Sequence, residues 1–132
     1  MEVKGGDKNK VYVCLYECLG TMFLLMAVNC GAESGNDSVG YQAEVVVLTL
    51  LGCIVHFGAI SGGHFNPAVT VGVLIREGTD KLGQNSVYAA MIIASQVVGA
   101  FLGCLLSCLS QSFNNGLVSP GIALLCPPNI ND

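Results

Sequence analysis

The stretch Ser61-Gly62-Gly63-His64-Phe65-Asn66-Pro67-Ala68-Val69-Thr70 lies between long apolar runs, yet it carries two glycines, a histidine, an asparagine and a proline. The apolar segment after it, Pro67 to Arg76, is too short to cross a bilayer: ten residues at the α-helical rise cover roughly 15 Å, about half of the hydrocarbon thickness. Polar backbone at membrane depth is tolerated only where protein buries it or where it lines a wet cavity. The stretch therefore reads as a re-entrant loop beside a water-filled path, which makes a channel or transporter the first functional class to consider.

The rest of the chain fits a membrane setting. Its 132 residues are 52% hydrophobic and only 11% charged, whereas soluble domains carry about 25% charged residues. Three runs, about 11–30, 43–60 and 86–109, approach the ~20 residues needed to span a bilayer. Any one of them could be a buried core helix, but three leave too little polar sequence to wrap them. A signal peptide is a poor reading of the first run, because Glu17 interrupts it and it exceeds the usual apolar length.

All five basic residues fall in two places. Lys4, Lys8 and Lys10 precede the first span, and Arg76 and Lys81 lie between the short segment and the third span. By the positive-inside rule the N-terminus and the 61–85 region face the cytoplasm, while the 31–42 connection and the segment after Leu109 face outward.

Within that frame the local chemistry can be read residue by residue. Asn is a favoured helix N-cap and Pro a favoured first helical residue, so the short helix starts at Asn66-Pro67 with its positive dipole end near the midplane. That end opposes cations, and the Asn66 amide can donate to a passing oxygen. Glu17 is the only charge in the first span; an intramembrane carboxylate normally faces inward to a partner, and the expected partners are N–H groups of the polar loop. Ser95, Gly99, Gly103 and Ser107 recur every fourth residue and form a ridge for close helix packing. Gln96, beside the ridge, is expected to bond a neighbouring helix or the loop. His56 has two readings, a hydrogen bond between helices or a pore-facing pH sensor. The cysteines match no metal or redox spacing, neither histidine sits in a ligand cluster, and no nucleophile is paired with a base. Hence no metal, no cofactor, no catalytic residue and no nucleic-acid partner are expected. A Cys30–Cys126 disulfide on the outer side and N-glycosylation at Asn36 of Asn36-Asp37-Ser38 are minor expectations.

The ten-residue stretch resembles the signature of the aquaporin (major intrinsic protein) family: small-residue loop, Asn-Pro-Ala and the following Val-Thr-x-Gly match in order. Glu17 with Gly20-Thr21 resembles the start of that family's first span, and Gln96, Gly99 and Gly103 its third. The resemblance covers the first half of a family member; no second Asn-Pro-Ala segment occurs in the chain. It implies an all-α membrane fold of three transmembrane helices plus one re-entrant half-helix, the first repeat of an inverted-repeat architecture. In that scheme residues 1–10 are a cytoplasmic tail, 11–110 the half domain with its re-entrant loop and half-helix at 61–76, and 111–132 an extracytoplasmic loop or tail.

The resemblance also implies roles. Asn66, with Pro67 and Ala68, would stand at the constriction, and the carbonyls of Gly62, Gly63 and His64 would form an acceptor ladder. Glu17 and Gln96 would brace the loop, with the His64 side chain helping to fix it. Val46 falls where the family places a second-span filter residue. Water-selective members usually have Phe there, so Val46 implies a wider or more apolar filter. The implied function is a passive channel for water and small neutral solutes such as glycerol or urea, in tetramers, in a plasma or vesicular membrane. The alternative is a truncated or non-conducting partner subunit that forms no pore alone. A membrane adaptor that docks a helix on its glycine ridge leaves the half-helix unexplained.

Overall fold

The computed structural model describes residues 7–32, 39–76 and 82–115. They form four helices: α1 (Asp7–Ala32), α2 (Val39–Ser61), α3 (Pro67–Arg76) and α4 (Leu82–Asn115). Three of these are long and apolar enough to cross a membrane, over Asn9–Gly31, Gly40–Ser61 and Asn85–Ser110. Helix is the outcome that hydrocarbon dictates for such sequences, because each N–H and C=O must then find its partner within the segment. The β-branched run Val45-Val46-Val47, which in water would favour a strand, is helical here.

The helices outrun their apolar cores. Asp7–Lys10 belong to α1 and residues 111–115 to α4, where the sequence reading placed a polar tail and an outer loop. Asn36, Lys81 and Cys126, with the expectations attached to them, lie outside the described residues.

α1 is the centre of the arrangement, packing against α2 on one side and α4 on the other, while α3 rests on α4. The α1–α4 seam is tight because its crossing residues lack side chains. A methyl group added at Gly99 would collide with the Cys18 carbonyl, and one at Gly103 with that of Met22. Further along, Asn29 Nδ2 donates to Ser107 Oγ at 3.1 Å and to Cys104 Sγ at 3.4 Å. The pairs 18–99, 22–103 and 29–107 advance together, so α1 and α4 run parallel. Ser95 joins the ridge differently: its hydroxyl folds back onto the Ile92 carbonyl at 2.7 Å. Elsewhere the surface is apolar, with Val47, Leu48, Val55, Val97 and Phe101 all exposed, as expected where lipid rather than water is the solvent.

Because the seam depends on missing side chains, Gly99→Leu should cost about 1–3 kcal/mol through overpacking. Ala94→Leu, on the exposed side of α4, should be nearly neutral. Unfolding in detergent, followed by circular dichroism, compares the two.

Candidate functional site

The polar stretch folds into a loop and half-helix held by one buried carboxylate. α2 ends with Gly62 N–H donating to the Gly58 carbonyl at 2.9 Å, and Gly63 N–H donates to Ser61 Oγ at 3.0 Å. Gly62 and Gly63 have φ values of 92° and 68°. This left-handed region suits glycine, which has no Cβ to clash. Phe65 has φ 46° without that excuse. Such a residue is strained by about 1–2 kcal/mol and persists only when its surroundings hold it.

Glu17 supplies the hold. It is fully buried, and its Oε1 accepts from His64 N–H at 2.9 Å while Oε2 accepts from Phe65 N–H at 2.6 Å. Gln96 of α4 donates from Nε2 to the same Oε2 at 2.8 Å and to Thr70 Oγ1 at 3.0 Å, using both amide protons. Thr70, buried on α3, donates to the Asn66 carbonyl at 3.2 Å and meets His64 Nδ1 at 3.1 Å. With the imidazole proton on Nδ1, the Thr70 hydroxyl gives one hydrogen bond and accepts two, which saturates it. Glu17, Gln96, Thr70 and His64 thus join α1, α4, α3 and the loop in one network. Low polarity around it strengthens each bond and makes each loss costly.

The half-helix starts at the Asn66 cap. Ala68 N–H donates to Asn66 Oδ1 at 2.8 Å, and Thr70 N–H makes the first helical bond to the Asn66 carbonyl at 3.1 Å. Since an N–H faces the side chain, the atom it meets must be the oxygen. The two amide protons of Asn66 therefore point away from the helix, at a residue that is exposed together with Pro67 and Ala68. Arg76 closes the other end of α3, where a cation favours the negative end of the dipole.

Of the residues singled out from the sequence, Glu17, His64, Asn66 and Gln96 meet in this assembly. Val46 is half-buried on α2, about four helical turns before the loop by sequence, and takes no part in it. Among the described residues His56 forms no bond between helices. Its Nδ1 is 2.7 Å from the Gly52 carbonyl of its own helix. The loop stands against Ile54 and Gly58, and at about 100° per residue Gly52 and His56 lie on roughly the opposite side of α2. The histidine is exposed on a face turned away from the loop.

Three further residues matter that the sequence reading gave no role: Thr70, Phe65 and Gly20. A side chain at Gly20 would overlap the Phe65 ring, so the glycine is a notch for it. Thr70 carried a signal, being a hydroxyl four residues after the cap on an otherwise apolar helix. Among the described residues no three His, Cys, Asp or Glu side chains cluster as a metal site would require.

These features define a class: an all-α, multi-pass integral membrane protein in which a braced polar loop leads into a short half-helix. The Major intrinsic protein family model matches residues 7–127, and the chain belongs to that family. It is 40% identical over 103 residues to Aquaporin TIP4-2 of Zea mays, covering 75% of this chain and 37% of that protein. It is 43% identical over 98 residues to Glycerol uptake facilitator protein-like 6 of Lactiplantibacillus plantarum (strain ATCC BAA-793 / NCIMB 8826 / WCFS1), covering 74% of this chain and 45% of that protein. Aquaporin NIP1-2 of Oryza sativa subsp. japonica matches at 42% over 72 residues, 48% of this chain and 22% of that protein. The chain thus spans less than half the length of these relatives. No solved structure gives a significant match.

Removing the brace should free the loop. Glu17→Ala leaves two loop amides and one of the two Gln96 amide protons without acceptors, and each buried donor left unsatisfied costs about 1–3 kcal/mol. Glu17→Gln, which keeps one acceptor oxygen, should cost less. Amide hydrogen exchange at His64 and Phe65 should accelerate in the order wild type, Gln variant, Ala variant.

Proposed function

We propose that this chain forms part of a passive transmembrane channel for water and small neutral solutes such as glycerol or urea. The observation that carries the reading is the Asn66 cap. Its oxygen is committed to Ala68 N–H, so its amide protons are presented outward at the positive end of a half-helix. There they would donate to a permeating oxygen while the dipole opposes cations and protons. Pro67 and Ala68 complete the exposed tip. The carbonyls of Gly62, Gly63 and His64 would offer acceptors along the approach, and Glu17 and Gln96 hold that approach in place. Val46 would contribute to a filter wider than one carrying Phe. No bond chemistry is involved, so the protein is read as a transporter of intact molecules and not as an enzyme.

The basic residues favour a cytoplasmic N-terminus. On this reading the half-helix is entered from the cytoplasmic side, and the protein assembles as tetramers within a plasma or vesicular membrane. The Gly99–Gly103 ridge with Ser95 belongs to the scaffold rather than to the path.

A second reading is favoured by the exposure of Asn66, Pro67, Ala68 and Val69. Among the described residues nothing covers the tip of the half-helix. The path would then need a complementary half, either as a partner subunit or within one polypeptide. Liposome swelling separates the two readings. Under the second, the chain alone gives water flux near that of empty liposomes, and joining it to the second half of a family member raises flux several-fold. Substantial flux from the chain alone would overturn it; no flux from either form would overturn the channel reading.

The filter assignment has its own test. In whichever form conducts, Val46→Phe should lower glycerol flux relative to water flux, and an unchanged ratio would remove Val46 from the filter.

A further inference from the structure

The aromatic residues between α1, α2 and the loop are not randomly spread. Phe57 of α2 lies at ring-centroid distances of 5.6 Å from Tyr16, 6.4 Å from Phe23 and 6.4 Å from Phe65. The contact with Phe65 is edge-on, at 79° between planes, and that with Phe23 is stacked, at 16°. Both are favourable arrangements for ring quadrupoles. Phe57 therefore ties two turns of α1 to the residue that immediately precedes Asn66.

Phe65 is the strained residue of the loop. Its backbone is held by Glu17 through two adjacent amides, and its ring adds side-chain contacts to that hold. The ring is buried, seated in the Gly20 notch and 6.4 Å from the Phe57 ring. Phe57 is thus the one aromatic ring of α2 that meets the strained residue next to Asn66 among the described residues. The geometry points to Phe57 as a positioning residue: by pinning the Phe65 ring, it sets the depth and tilt of Asn66 at the mouth of the half-helix. The consequence for permeation rests on the channel reading above, whereas the coupling between Phe57 and the loop does not.

Ordinary core packing is the competing explanation, and it makes a different prediction. Loss of packing loosens the whole bundle, whereas loss of a positioning contact loosens residues 61–66 alone. Phe57→Leu removes the ring while keeping an apolar side chain, Phe57→Tyr keeps the ring, and Phe101→Leu alters an exposed phenylalanine on α4.

Hydrogen exchange on the full chain in detergent micelles should show faster exchange at His64 and Phe65 in F57L, with the α1–α4 seam around Gly99 unchanged. F57Y and F101L should match wild type. Equal exchange at Phe65 in F57L and wild type would overturn the proposal, and so would uniform acceleration that includes the seam. In the conducting form, F57L should also raise the ratio of glycerol to water permeability several-fold over F57Y. An unchanged ratio despite faster loop exchange would refute Phe57 as a determinant of Asn66 placement. If wild type shows no flux above empty liposomes in any form, the channel reading fails, and the exchange experiment alone decides the role of Phe57.

Discussion

One carboxylate organises the loop and half-helix of this molecule. Glu17 sits out of contact with solvent on the central helix and accepts from two consecutive loop amides and from Gln96. A buried charge of this kind is tolerable only when its lone pairs are occupied, and consecutive N–H groups of a left-handed turn are well placed to do so. The need runs both ways. The His64 and Phe65 amides turn to the carboxylate instead of solvent, and the carboxylate cannot stay buried without donors. Each supplies what the other lacks, which is why a residue as awkward as Phe65 can hold a positive φ.

The brace depends in turn on how closely α1 and α4 approach. Gln96 reaches Glu17 because its helix rides on Gly99 and Gly103, three and seven residues further on, against the backbone of Cys18 and Met22. Larger side chains there would push α4 outward and draw the Gln96 amide away from both Glu17 and Thr70. Small residues on a membrane helix, which contribute little burial of their own, thereby decide whether a hydrogen bond forms one turn away. The same network continues through Thr70 to the Asn66 carbonyl, so the start of the half-helix is positioned from α1, α4 and the loop together.

Much of this could be read from residue types and spacing. Asn-Pro at the head of a short apolar segment specifies a capped half-helix, because a cap needs a side-chain acceptor and proline needs a position without a donor. Glu17 announces itself as the one charge in an apolar span, and Gln96 as an amide beside a small-residue ridge. Thr70 and the Gly20 notch were less legible, since their importance comes from what lies opposite them. His56 shows the limit most clearly. A histidine in an apolar span reads first as a helix clasp and second as a sensor, and only the position of the loop against Ile54 and Gly58 shows that it lies on the other side of α2.

By itself the sequence determined the class of structure: three spans and one half-span, with the polar loop between them, follow from lengths, hydropathy and the absence of water to satisfy backbone groups. It also determined where α3 begins, because capping is a matter between neighbours in the chain. Tertiary structure decided which side chains converge. Glu17 and Gln96 are far apart in sequence, and the loop amides are distant from both. Their meeting depends on the rotation of α1 and α4 about their own axes and on the depth to which the loop folds back. Those quantities come from the balance of glycine-mediated backbone contact, ring packing at Phe57 and Phe65, and the pairing of buried polar groups; the ridge and the polar residues show in the sequence, but the partner each one meets does not.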